Sequence, residues 1–159
     1  MKKVILFFIV IFIASCHSQD YEISDTTDSS NKIESLNLSE IGTKKGNDIV
    51  LNVSKEMLLE VFRADSKRYM LEINPVSCKI EKINEKDYLR FYNEDDTVST
   101  IELLVDRNGN VTTGSTICTS KICATGGGCV PDGQYCTKCE AEGEDCLRTT
   151  IELTQDSNQ

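Results

Sequence analysis

Residues 101–117 read IELLVDRNGNVTTGSTI, and they give the clearest structural signal in the chain. Ile101, Leu103 and Val105 recur at every second position, which is typical of a half-buried β-strand. The dipeptide Asn108-Gly109 follows, and this pair is the strongest short signal for a hairpin turn. The sequence therefore predicts a β-hairpin. Its register stays open, because loops of two and three residues pair different faces of the strands.

The same alternation recurs upstream of the hairpin. Four further predicted strands carry the apolar residues Ile49, Leu51 and Val53; Tyr69, Leu71 and Ile73; Val76, Cys78 and Ile80; and Leu89 and Phe91. Ser54 is a suitable N-cap for a short helix between the first two of these strands. That helix would present Leu58, Val61 and Phe62 on one face.

The predicted fold class is therefore mainly β, or α+β if the one short helix forms. It consists of a small antiparallel sheet of roughly four to six strands, followed by a cysteine-rich, loop-dominated C-terminal segment. The apolar alternation supplies only one face of the sheet. The other face should therefore meet either solvent or the cysteine-rich segment.

The C-terminal segment contains six of the eight cysteines: Cys118, Cys123, Cys129, Cys136, Cys139 and Cys146. It is polar and rich in glycine, so it cannot form a hydrophobic core of its own and needs covalent or coordinate bonds. Disulfides are the expected bonds in an exported chain. Six cysteines allow about 15 sets of three pairs, and the sequence does not select one.

Two alternatives use the same Cys118–Cys146 cluster. The spacing Cys136-Thr137-Lys138-Cys139 suits zinc or an iron–sulfur cluster, with the remaining cysteines completing the ligand set. However, a zinc ribbon has two such C-x₂-C pairs, and this chain has one. Alternatively, Cys136 and Cys139 form a redox-active pair, with Lys138 stabilising a thiolate. If the six cysteines form structural disulfides, as the first interpretation predicts, the chain is expected to bind no metal and no cofactor.

Cys78 lies apart from the cluster, on the face of a predicted strand that also carries Val76 and Ile80. This alternation predicts a buried free thiol that packs as a small hydrophobic side chain. The alternative is a disulfide from the sheet to the C-terminal segment, which would leave one cysteine of that segment unpaired.

The N-terminus has the layout of a secretory signal peptide: Lys2 and Lys3 precede an apolar run, residues 4–13. As a helix this run spans roughly 15 Å, about half of the hydrocarbon core of a bilayer, so a permanent membrane span is not expected. The ending Ile-Ala-Ser-Cys, residues 13–16, resembles the lipobox of bacterial lipoproteins. The resemblance covers only residues 1–16 and implies cleavage before Cys16 and acylation of its sulfur.

The predicted organisation has five parts. They are a signal peptide (1–15), a lipidated N-terminus with a flexible tether (16–47), a β-rich domain (48–117), the cysteine-rich segment (118–148) and a C-terminal strand or tail (149–159). The tether is rich in Ser, Thr, Asp and Asn and cannot bury enough apolar surface to order itself. One short turn is expected to dock on the domain, whereas Gly42 and Gly46 interrupt any longer helix; the docking candidates are Ile33, Leu36, Leu38 and Ile41.

Charge and composition limit the function. The net charge is −9, and cleavage would remove Lys2 and Lys3. This acidic balance opposes binding to nucleic acid and to anionic lipid headgroups. Attachment to a membrane would therefore depend on acyl chains at Cys16.

Histidine is absent after His17, so the folded part has no Ser/His or Cys/His nucleophile–base pair, and an enzyme is not expected. The sequence predicts a membrane-anchored lipoprotein of the cell envelope, exposed to the periplasm or the cell surface. It would act as a non-enzymatic binding or structural module. Its partner, an envelope or extracellular protein or glycan, is not identified by the sequence.

Overall fold

The computed structural model describes residues 35–36, 40–123, 127–139, 143 and 145–151. Over these residues the fold is mainly β with one helix, as predicted. The elements are β1 (Gly42–Lys45), β2 (Asp48–Leu51), α1 (Lys55–Arg68), β3 (Pro75–Ile83), β4 (Lys86–Asn93), β5 (Val98–Val105), β6 (Asn110–Ser120), β7 (Pro131–Asp132), β8 (Tyr135–Cys136) and β9 (Leu147–Thr150).

Seven of these strands form one antiparallel sheet, and β7 and β8 form a separate two-stranded ribbon. The order in the large sheet is β2-β1-β6-β5-β4-β3, and β9 also pairs with β6. Strand β6 is long enough to pair with two strands along one edge: its start pairs with β1 and its end with β9. The sheet is therefore larger than the four to six strands that the sequence predicts.

The predicted hairpin is formed by β5 and β6. Val105 pairs with Val111, and residues 106–109 form the turn between the two strands. The Asp106 carboxylate accepts hydrogen bonds from the backbone N–H groups of Asn108 and Asn110 at 2.8 and 2.9 Å. Gly109 has φ +88°, a left-handed conformation that glycine adopts without a steric penalty.

Helix α1 begins where the sequence predicts. The hydroxyl of Ser54 accepts a hydrogen bond from the Met57 N–H at 3.2 Å and so satisfies one of the unpaired donors of the first turn. The Phe62 ring stacks on Phe91 of β4, with ring centroids 4.0 Å apart. Both phenylalanines are fully buried and lie in the core formed between the helix and the sheet.

The face of the sheet that packs against α1 is called the inner face, and the opposite one the outer face. Along β4 and β5 the inner face carries Leu89, Phe91 and Ile101, which are buried. The outer face carries Tyr88 and Thr100, which are also buried. Both faces of the central strands are therefore covered, the inner one by α1 and the outer one by the cysteine-rich segment.

The prediction of a strand at Tyr69–Ile73 is wrong. The helix continues to Arg68, and the Tyr69 N–H donates to Asp65 O at 3.1 Å, which completes its last turn. Residues 71–74 form no strand. The alternation at Leu71 and Ile73 arises because this connection crosses the edge of the core with alternate side chains half-buried.

The predicted tether extends too far toward the domain. Strand β1 lies inside it, and Leu36 and Ile41 are fully buried. Gly42 does not act as a helix breaker but as a strand residue: a Cβ there would lie 2.6 Å from Val50 O. The close approach of β2 therefore explains the glycine, and the domain begins before residue 48.

An ion-pair group joins distant strands of the sheet. The carboxylate of Asp87 in β4 lies 2.8 Å from Lys44 Nζ of β1 and 2.6 Å from Lys82 Nζ of β3. Burial works to raise the pKa of Asp87, but the hydrogen bonds from the two lysines outweigh it and lower this pKa. Since β5 and β6 separate β1 from β4, the contact requires strong curvature, and the sheet is nearly closed around its core.

Candidate functional site

The stapled segment, residues 118–146, is the part of the molecule that the sequence singles out for function. All six of its cysteines are paired, in the disulfides Cys118–Cys136, Cys123–Cys139 and Cys129–Cys146. The Cα atoms of the pairs are 5.8, 5.9 and 5.5 Å apart, within the range that disulfides require. The predicted disulfides are thus confirmed, and the structure selects one pairing among the possible sets.

This pairing bears on the two alternative uses of the cysteines. Cys136 and Cys139 belong to different disulfides, so the proposed redox pair is not formed. A disulfide sulfur is not a thiolate, and thiolates are what zinc and iron–sulfur clusters require. In the described part of the chain, no three His, Cys, Asp or Glu side chains are grouped to hold a metal ion.

The stapled segment is fixed to the outer face of the sheet by a disulfide and by several polar contacts. Cys118 lies in β6, so its bond to Cys136 ties the β7–β8 ribbon to the sheet. The buried Tyr88 hydroxyl donates to Pro131 O at 3.2 Å, and the Thr116 hydroxyl donates to Gly133 O at 2.9 Å. The hydrophobic cluster described within the segment consists of its cysteines.

Asp145 fixes the start of the segment where it leaves β6. Its carboxylate accepts hydrogen bonds from the Ser120 hydroxyl and from the N–H groups of Lys121 and Ile122. Burial works to raise the pKa of Asp145, but these hydrogen bonds outweigh it and lower the pKa. Asp145 therefore stabilises the start of the segment and is not a candidate catalytic acid.

Tyr135 and Arg148 form an exposed pair in this region. Tyr135 is 69% exposed although it is next to a disulfide. The Arg148 guanidinium carbon lies 5.8 Å from the centre of the Tyr135 ring, and Nη1 donates to Gln134 O at 2.9 Å. Sequence reasoning missed this pair, which we call the Tyr135–Arg148 platform, because β9 had no alternation to reveal it.

A second polar group lies at the edge of the outer face, on β3 and β4. Glu81 accepts hydrogen bonds at 2.6 Å from each of three donors, namely Lys79 Nζ, Arg90 Nη1 and the Tyr92 hydroxyl. Burial works to raise the pKa of Glu81, but the hydrogen bonds from Lys79, Tyr92 and Arg90 outweigh it and hold this pKa at about 2. The Glu81 carboxylate is fully engaged by its three donors, which indicates a stabilising role rather than a binding role.

The Glu81 group predicts a specific loss of stability in acid. The pKa of Glu81 is about 2 in the folded chain against an ordinary value of 4.5, so its contribution is complete above pH 4.5 and disappears as the pH falls toward 2. We expect a loss of about 1 to 2 kcal/mol between pH 6 and pH 3 from this residue. Urea unfolding at both pH values measures it.

The matched variants for this measurement are Glu81→Gln and Glu72→Gln. Glu81→Gln should remove that part of the acid sensitivity, because glutamine does not titrate. Glu72 is exposed and in no described ion pair, so Glu72→Gln should retain the sensitivity of the native chain. An equal acid-induced loss in the native chain and in Glu81→Gln would contradict the assignment.

Cys78 is buried in β3 on the inner face, opposite Phe91, and forms no disulfide. Burial raises the pKa of this thiol to about 11, with a smaller lowering by Lys55 and a smaller raising by Glu56. The thiol is therefore protonated at neutral pH, and its role is packing rather than redox chemistry.

Several predicted features lie outside the described residues: the signal peptide (1–15), the lipidation candidate Cys16, residues 16–34 and 37–39 of the tether, with Ile33 and Leu38, and residues 152–159 of the C-terminal strand or tail. The strand in that region is β9, which begins before residue 149. Among the residues that the structure describes, no helix has the length and apolar character needed to cross a bilayer.

Comparison with known proteins gave no relative: no family model, no curated protein and no solved structure matches this chain. The β7–β8 ribbon and β9 together present an exposed aromatic ring and a guanidinium. Side chains of these two types give large contact energies in interfaces when they are held in place.

Proposed function

We propose that this chain is an exported lipoprotein of the bacterial cell envelope, anchored through acyl chains on Cys16. It acts there as a non-enzymatic binding module. The binding element is the stapled segment, and its partner is an envelope or extracellular macromolecule.

The observation that carries this proposal is the complete pairing of the six cysteines of the segment. Such pairing persists in the oxidising compartments outside the cytosol and is rare within it. The leader, residues 1–16, supports the same location, because its apolar run ends at a cysteine that follows two small residues. The two features lie at opposite ends of the chain and are independent of each other.

The anchor is tested by Cys16→Ser in the full chain, expressed in a bacterium that acylates lipoproteins. We expect the native chain in the membrane fraction, with the mass of residues 16–159 plus acyl chains. The variant should appear in the soluble exported fraction. Cys78→Ser is the matched control and should stay with the membrane. An unacylated native chain that keeps residues 1–15 would overturn the anchor.

The oxidation state is tested on the same material by thiol titration after denaturation. One titratable thiol, that of Cys78, and a mass lower by six hydrogens than the fully reduced chain are expected. Seven titratable thiols would contradict the exported location, and a bound metal with them would support the metal-binding alternative instead.

A further inference from the structure

Strand β9 has an open edge next to the Tyr135–Arg148 platform. It pairs with β6 on one side, and in the described part of the chain no strand pairs with its other side. Leu147 on this strand is 51% exposed. An open strand edge offers backbone donors and acceptors to any extended chain that lies alongside it.

The register of β9 identifies which backbone groups face outward. Ile151 N donates to Ser115 O of β6 at 2.7 Å. Thr149 and Leu147 lie two and four residues before Ile151, so their backbone N–H and C=O groups also point toward β6. In an antiparallel pair the residues between these point their N–H and C=O groups the other way. The outward groups of β9 are therefore those of Arg148 and Thr150, and no described residue bonds to them.

The edge strand β9 carries one charged residue among those described, the cation Arg148, in a chain that is acidic overall. The net charge of the protein is −9, and cations such as Lys44, Lys86 and Arg90 are neutralised by carboxylates. Arg148 contacts no carboxylate among the described residues; its partners are a carbonyl oxygen and an aromatic ring. An unneutralised guanidinium beside an open edge favours a carboxylate-bearing partner.

We propose that the edge of β9 and the Tyr135–Arg148 platform bind an extended polypeptide segment in which acidic and apolar residues alternate. The added strand would pair with Arg148 and Thr150. Its side chains on the outer face would lie beside the Arg148 guanidinium, which selects Asp or Glu. Its side chains on the inner face would lie beside Leu147, which selects apolar residues.

This inference rests on the proposed function, in that it names the partner class of the stapled segment. The position of the platform relative to the first described N-terminal residues agrees with this inference. Ser35 and Leu36 donate hydrogen bonds to Asp65 of α1, at 3.3 Å each, so the N-terminal residues reach the domain on the side of the helix. The platform belongs to the opposite face of the sheet.

The test uses the full-length chain, purified without acylation from an oxidising compartment, and a fluorescent ten-residue peptide of alternating Glu and Val. Because acylation is absent, failure of the anchor at Cys16 does not affect the result. We expect the peptide to bind and a peptide of alternating Lys and Val to bind at least about tenfold more weakly. The amide hydrogens of Arg148 and Thr150 should gain protection from exchange when the Glu peptide is added.

Two variants separate the backbone and the charge contributions. Arg148→Glu should weaken binding of the Glu peptide by about tenfold or more, whereas Arg107→Glu in the distant hairpin turn should leave it unchanged. Thr150→Pro removes an outward N–H without touching the pairing to β6, since proline is tolerated on the open side of an edge strand. It should also weaken binding by about tenfold.

Several results would overturn the proposal. They are no binding of the Glu peptide at millimolar concentration, equal binding of the two peptides, or loss with Arg148→Glu but not with Thr150→Pro. An acidic oligosaccharide that binds better than the peptide, with no effect of Thr150→Pro, would assign the platform to a glycan instead. If Thr150→Pro lowers the melting temperature, its loss of binding is set aside and hydrogen exchange in the native chain is used instead. If adding the Glu peptide leaves the exchange rates of the Arg148 and Thr150 amides unchanged, the edge pairing is refuted.

Discussion

Replacing Phe62 with alanine is expected to lower the free energy of unfolding by about 4 kcal/mol. The Phe62 ring is fully buried and stacks on Phe91, with the ring planes within 6° of each other. This pair joins the only described helix to the centre of the sheet, so truncation leaves a cavity that neighbouring strands cannot close. The free energy of unfolding of a domain of this size is about 5 to 15 kcal/mol, so the substitution would remove a large part of it.

Urea unfolding followed by far-UV circular dichroism measures this effect. Phe62→Leu keeps part of the buried volume and should lose less than Phe62→Ala. Val76→Ala, at an exposed apolar position of β3, should cost less than about 1 kcal/mol. A loss at Phe62 as small as that at Val76 would show that the helix does not hold the core together.

The hairpin and the helix were predictable because their signals are local. Asn108-Gly109 fixes the turn between β5 and β6, and Ser54 caps α1 as the sequence predicts. In both places the chemistry of one or two residues determines the backbone. Alternating apolar residues likewise located β3 and β4, since half-buried strands must alternate.

The rest depends on contacts between distant residues. The polar composition of residues 16–47 predicts a tether where β1 lies. Only the approach of β2 shows that the missing side chain of Gly42 makes room for a neighbouring strand. The disulfide pairs follow from where β6 and the β7–β8 ribbon meet, which no spacing of cysteines reveals. The Tyr135–Arg148 platform is brought together in the same way, by the return of β9 to β6.

Reduction of the three disulfides is expected to unfold the stapled segment while the sheet and α1 stay folded. Each disulfide closes a loop of 16 to 18 residues, and such a link is worth about 3 kcal/mol in the chain-entropy model. The described hydrophobic cluster of the segment consists of these cysteines, so few apolar contacts would hold it after reduction. The core around Phe62 and Phe91 lies on the inner face and does not depend on these bonds.

Hydrogen exchange before and after reduction distinguishes the two regions. Within the segment, the amide of Thr137 donates to Val130 O and that of Cys129 to Thr137 O; both should lose protection. Amides of β4 and β5 should keep theirs. Loss of protection throughout the chain would show that the segment is an integral part of the cooperative domain rather than a separately stabilised cover on its outer face.

The Cys118–Cys136 bond should matter most for the position of the segment, because Cys118 is the one cysteine of the six that lies in a strand of the large sheet. The double variant Cys118→Ser/Cys136→Ser should release the β7–β8 ribbon and expose Tyr88, whose hydroxyl bonds to Pro131 O. Cys123→Ser/Cys139→Ser is the matched control and should leave Tyr88 buried. Because the platform includes Tyr135 next to Cys136, the first variant should also weaken binding of the alternating Glu peptide, and the second should not.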